Sequence, residues 1–177
     1  MIMEKQVVIY CSASYTIDPA FNEVARALVR KLCAEGYSIV SGGTVKGTMG
    51  VIADEIAACG GHHLGVLPRF MKGLEHEGVS DTVWTESMSS RKERMRERTC
   101  AAIALPGGIG TLDELFETLT LAKLGEYDGK VFALNVNGFY DPLVALLDYF
   151  VEMKMMDGRA RSLIRFPRTV EELMNEL

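Results

Sequence analysis

Cys100–Leu105 (CAAIAL) runs straight into Pro106–Thr111 (PGGIGT) and then into Leu112–Glu117 (LDELFE). Six residues without a charge read as a strand buried on both faces. Turn-forming residues follow, Pro106, Gly107, Gly108 and Gly110. The next stretch has apolar positions at helical spacing and continues to Leu124, where Gly125 supplies a left-handed stop. The unit is a strand, a glycine turn and a helix, as in a parallel α/β sheet.

The same alternation extends outward. Lys5–Cys11 (KQVVIYC), Tyr37–Val40 (YSIV), His63–Leu67 (HLGVL) and Val131–Val136 (VFALNV) are further apolar runs. Thr82–Thr85 is a weaker strand and Ser162–Phe166 a short last one. Asp18-Pro19 opens a helix that runs to Glu35, since Asp caps and Pro fits the first turn. Gly36 ends it. Thr48–Cys59 and Met88–Thr99 are helices, and Arg69–Asp81 is a long polar loop. Asp141-Pro142 opens a helix in the manner of Asp18-Pro19, with Gly158 as its stop. Thr169–Glu172 (TVEE) has capping-box spacing for a final helix. Buried strands separated by amphipathic helices predict an α/β fold, a doubly wound Rossmann-like parallel sheet covered on both faces. The 177 residues suit one domain over 1–177.

Composition narrows the function. The chain carries 19 Lys and Arg against 24 Asp and Glu, a net charge of −5, which argues against a nucleic-acid polymer as partner. No segment reaches the roughly 18 apolar residues of a membrane span. The opening MIMEKQVVIYCSAS reads as a first strand, not a signal peptide. Cys11, Cys33, Cys59 and Cys100 form no CxxC pair and lie in apolar stretches, so buried free thiols in a reducing cytoplasm are expected. His62, His63 and His76 form no ligand set, and no metal site or cofactor is expected. Of 17 glycines, 13 lie between Gly36 and Gly110, which asks for a local reason.

In doubly wound sheets ligands bind beyond the carboxyl ends of the strands. Those ends carry Ser12, Gly42-Gly43, Pro68 and Pro106–Thr111. The dinucleotide fingerprint GxGxxG fails, because no third glycine follows Gly108-Ile109-Gly110. The Walker pattern fails at Gly42–Thr48, because Thr48 directly follows Gly47 and the phosphate-reaching lysine is missing. What remains is a glycine turn feeding a helix, whose free N–H groups and dipole favour an anion.

Pro106–Glu114 (PGGIGTLDE) resembles the PGGxGTxxE signature of the LOG (Lonely Guy) phosphoribohydrolases, many of which carry an older label, lysine decarboxylase. Met88-Ser89-Ser90-Arg91-Lys92 resembles the family's second motif, and the likeness extends over Gly42–Gly50, Gly60–Pro68 and Asn135–Leu143. The resemblance implies a homodimeric Rossmann-like enzyme without a cofactor. It would cleave the N-glycosidic bond of a nucleoside 5′-monophosphate, AMP or N6-substituted AMP, to free base and ribose 5-phosphate. The chain departs from the family at Ser89, where His is usual, and at Phe70, where plant-type members have Glu. Both departures bear on the base and leave the phosphate and ribose contacts intact.

By resemblance Glu114 and Arg91 are catalytic. A carboxylate beside the ribose stabilises charge developing at C1′ and deprotonates water. Spacing alone equally allows Thr111 and Glu114 to be a capping box. Arg91 offers a rigid fork to a carboxylate or phosphate. The expected substrate contacts are Gly107, Gly108, Ile109, Gly110, Thr111, Leu112, Asp113, Lys92, Ser12 and Gly43, with Met49 and Met88 lining the base. Thr120 matches a family contact position, but it is off the Glu114 stripe and would reach a ligand only across a dimer. Arg94, Arg96 and Arg98 read as a solvated face. The competing reading is a carrier of a nucleotide or pterin-type cofactor, which needs the turn but no ribose-facing carboxylate.

Overall fold

The computed structural model describes residues 5–177. Seven strands form one parallel sheet: β1 (Gln6–Tyr10), β2 (Ser38–Ser41), β3 (His63–Pro68), β4 (Asp81–Thr85), β5 (Ala101–Ala104), β6 (Lys130–Ala133) and β7 (Ile164–Arg165), in the order β4-β3-β2-β1-β5-β6-β7. The expected doubly wound α/β fold is present. The chain winds outward from β1 to β4, then crosses back to β5 and winds the other way. The switch point therefore lies between β1 and β5, whose register pairs Val7 with Ala101 and Tyr10 with Ala104.

Alternate strand residues face opposite layers. Val7, Ile9, Ile39, Ile103 and Phe132 pack against α1 (Pro19–Ala34), α2 (Gly47–Ala58) and α7 (Val170–Glu176). Val8, Tyr10, Val40, Val66 and Ala102 meet α3 (Met88–Arg96), α4 (Ile109–Leu124) and α5 (Asp141–Glu152). The first layer is conventional: Leu28, Val29 and Leu32 of α1 are fully buried. By contrast, α3 buries only one apolar side chain, Met95. Ion pairs to α4 fasten it instead: Lys92 to Asp113 and Glu117, and Arg96 to Glu117 at 2.7 Å.

Several boundaries differ from the sequence expectation. Asp18 caps α1 as expected, accepting from Ala20 N at 2.9 Å. Asp141-Pro142 does not repeat that device. The cap of α5 is Tyr140, and the Asp141 carboxylate is taken by Asn135 Nδ2 and Arg168. Gly158 does not end α5, which stops at Glu152, with Lys154 at φ 60° just beyond it. It instead opens a short helix, α6 (Gly158–Ser162), capped by Asp157. The strand expected over Val131–Val136 stops at Ala133. Arg96 is not on a solvated face but buried against Glu117, whereas Arg94 is half-buried and pairs with Glu97. Cys11 is buried, but Cys59 is exposed at the C-cap of α2; all four thiols are free. The opening residues 1–4 lie outside the described residues. Among the described residues no helix is long and apolar enough to cross a membrane.

Candidate active site

A cavity of ≈ 420 Å³ lies at the carboxyl ends of β1, β2 and β5, at the switch point. Three loops shape it side by side: 11–14 after β1, 42–46 after β2 and 106–111 after β5. Strand spacing near 4.8 Å puts the ends of β2 and β5, which lead into the outer two loops, about 10 Å apart. Met71 and Leu74, from the stretch expected to be a polar loop, add apolar wall.

The glycine turn performs its expected local task. Gly108 is the N-cap of α4 and has no side chain to offer, so Thr111 sits inside the first turn. Its hydroxyl and Glu114 therefore form no capping box. That alternative is excluded, and Glu114 is left for another partner. The N–H groups of Ile109, Gly110 and Thr111 precede the first bonded amide of α4, which runs from Leu112 N to Gly108 O at 3.1 Å.

Glu114 is buried, and its Oε1 accepts from Arg91 Nη1 at 3.0 Å. Arg91 is also buried and donates from Nε to the Val66 carbonyl of β3 at 2.9 Å. One guanidinium thus ties β3, α3 and α4 together. Its Nη2 lies on the Gly42 side, where a Cβ would collide with it and sit 2.5 Å from Met49 Sδ. Gly43, next in line, holds φ at +66°, and a Cβ there would be 2.7 Å from Gly65 Cα. The clustered glycines let this loop approach both β3 and Arg91. Below the pair, Thr118 Oγ1 bonds the Glu114 carbonyl at 2.8 Å and Tyr10 Oη at 2.9 Å.

Burial dominates the electrostatics of Glu114. Desolvation pushes its carboxyl up to about 7, against the pull of the Arg91 charge and hydrogen bond; Asp113 adds to the rise. A group poised there exchanges protons at neutral pH.

Of the expected site residues, the cavity brings together Ser12, Met49, Met88, Arg91, Gly108, Gly110, Thr111, Asp113 and Glu114. Gly43, Lys92, Gly107, Ile109, Leu112 and Thr120 do not line it. Gly107 lies behind Thr111, while Ile109 is 87% exposed. Lys92 is engaged with Asp113 and Glu117. Thr120 is exposed and its hydroxyl bonds the Phe116 carbonyl. Ser89 and Phe70, the two departures, are both exposed and outside the lining. Thr44, Lys46, Met71 and Leu74 were not foreseen as lining. The periodicity of a lone loop holds no signal for them.

Comparison with known proteins identifies the family. A family model described as possible lysine decarboxylase matches residues 49–177. A probable cytokinin riboside 5′-monophosphate phosphoribohydrolase of Oryza sativa subsp. japonica is 34% identical over 175 residues, 98% of this chain and 72% of that protein. A cytokinin riboside 5′-monophosphate phosphoribohydrolase of Arabidopsis thaliana is 33% identical over 175 residues, 98% of this chain and 81% of that one. Among solved structures, the molybdenum cofactor binding protein of Rippkaea orientalis superposes with a TM-score of 0.76 at 18% identity, covering 99% of this chain and 96% of that one. At that identity the likeness is one of fold. The signature turn, the buried Arg–Glu pair behind it and these relatives lead to one conclusion: the chain belongs to the LOG family of phosphoribohydrolases.

Proposed function

We propose that this protein hydrolyses the N-glycosidic bond of a nucleoside 5′-monophosphate, AMP or an N6-substituted AMP, releasing the free base and ribose 5-phosphate. The observation that carries the reading is the buried Arg91–Glu114 pair facing the same cavity as the α4 turn. The phosphate sits against the N–H groups of Gly108–Thr111. The ribose lies over Glu114, with Asp113 near its hydroxyls, and the base lies among Met49, Met88 and the apolar wall. As the base departs with the bonding electrons and takes up a proton from solvent at its freed nitrogen, positive charge grows on the ribose ring. Ionised Glu114 stabilises that charge and takes a proton from the water that attacks C1′. Arg91 holds the carboxylate in place and offers Nη2 to the substrate.

The protein acts in the cytoplasm as a homodimer, in which Thr120 meets a ligand of the neighbouring copy. The exposed Leu146 and Tyr149 of α5, with Met153 at its C-cap, support a partner surface of this kind. Sedimentation velocity tests it, and a monomer at micromolar concentration would contradict it. The activity is tested by incubating the protein with a panel of nucleoside monophosphates and assaying ribose 5-phosphate. Release from AMP or N6-isopentenyl-AMP is expected. Tight binding of every nucleotide without release would overturn the reading in favour of a carrier.

A further inference from the structure

The charged side chains that line the cavity cancel, leaving no positive surplus for an anionic ligand. The acidic ones are Asp113 and Glu114; the basic ones are Arg91 and Lys46. Arg91 is engaged with Glu114, and nearby Lys92 is held by Asp113 and Glu117. Lys46 alone among these cations makes no ion pair or side-chain hydrogen bond among the described residues. With a net charge of −5, the rest of the molecule offers a dianion no long-range attraction.

Lys46 is also well placed in the backbone. It is the N-cap of α2, its own N–H donates to Thr44 Oγ1 at 3.3 Å, and its side chain caps nothing. The loop that carries it is fastened on two sides. Val45 N bonds the Leu74 carbonyl and His76 N the Gly43 carbonyl, both near 3 Å. On the other side Thr48 N bonds the Ser12 carbonyl at 3.0 Å. The strand ends that lead into this loop and into the α4 turn stand two strand spacings, about 10 Å, apart, and Lys46, Gly108, Gly110 and Thr111 line one cavity. A flexible four-carbon stem can put an ammonium between the loop and the turn. The Walker arrangement, with lysine after the last glycine, is absent, yet here a lysine stands just before that glycine.

We propose that Lys46 is the side chain that binds the phosphomonoester of the substrate, opposite the N–H groups of the α4 turn. This rests on the hydrolase reading for the identity of the ligand. The lysine offsets the repulsion that Asp113 and Glu114 exert on the phosphate and holds it as a point charge.

The test is calorimetric titration of the full-length protein with ribose 5-phosphate, with ribose as the uncharged control. Lys46→Met is expected to weaken ribose 5-phosphate binding by about tenfold or more, and Lys46→Arg by no more than about threefold. The affinity of the wild type should also fall more steeply with added salt than that of Lys46→Met. Should Lys46→Met fail to fold, Lys46→Gln takes its place. Equal affinity in the wild type and the neutral variant, equal loss in the Met and Arg variants, or no ribose 5-phosphate binding by the wild type would each overturn the proposal. The two readings fail separately. Lysine-dependent binding without release from any nucleotide would sink only the hydrolase reading, and hydrolysis with lysine-independent binding only this one.

Discussion

Glu55 of α2 and Glu114 of α4 are the same residue type, expose similarly little side-chain surface and both face arginine, but Glu55 lies near the surface and Glu114 lies deep. Their side chains are 10% and 11% exposed. Their protonation goes opposite ways. Glu55 is clamped by Arg30, at 2.6 Å, and by Arg26. Those hydrogen bonds and charges outweigh burial and hold its carboxyl below the usual range. Arg30 is itself 59% exposed, so the pair sits at the edge of solvent. Glu114 has one arginine, itself buried, and protein on every side except the cavity. There desolvation wins, and the carboxyl rises to about 7. A carboxylate that meets arginines at the surface is a fastener between helices. One left with a single buried partner at a cavity wall is poised to move a proton.

Removing the charge on each side should separate the two roles most sharply. Glu114→Gln keeps the shape and still accepts from Arg91, so folding is expected to survive while turnover falls about 100-fold or more; a variant with full turnover would end the assignment. Arg91→Lys keeps charge but cannot reach both Val66 O and Glu114 from one planar fork. Ribose 5-phosphate release is expected to drop roughly tenfold to a hundredfold, and wild-type kinetics would argue against the fork. Gly42→Ala acts on the same guanidinium from behind, through the Nη2 collision, and about a tenfold loss is expected in the same assay. The smallest effect belongs to the fastener. Glu55→Gln is expected to leave turnover within about twofold and to lower Tm by about 2–4 °C at neutral pH.

The signs of pH dependence differ too. The folded-state carboxyl of Glu55 is depressed, so its contribution to stability is present at neutral pH and lost on acidification through its folded value. For Glu114 the unfolded chain releases its proton near 4.5 and the folded one near 7, so stability falls as pH rises across that window.

Much of this was legible in the residues. The continuous apolar runs around Val7–Tyr10 and Ala101–Ala104 could only be central strands, and PGGIGT could only be a tight entry into a helix. Capping was less legible, because Asp18-Pro19 and Asp141-Pro142 are alike on paper. Only the fold brings Asn135 and Arg168 to Asp141 and leaves its carboxylate no amide to cap. The role of Glu114 was undecidable from spacing for a related reason. Thr111 reads as a cap until Gly108 is seen to hold that position. Arg96 looked like one of several solvated arginines because its partner, Glu117, lies 21 residues away. The apolar wall of Met71 and Leu74 was hidden in a stretch read as polar loop, since a cavity assembled from separate loops leaves no period in any of them.

The central claim is that burial outweighs Arg91 at Glu114 and that its ionised form does the work. The pH dependence of kcat/KM for ribose 5-phosphate release, which follows groups on the free enzyme, tests it most directly. The rate constant should climb with pH to a plateau, with a midpoint at about 7 that disappears in Glu114→Gln. A wild-type profile flat from about pH 5 to 8, as an ordinary surface carboxylate would give, would contradict the account.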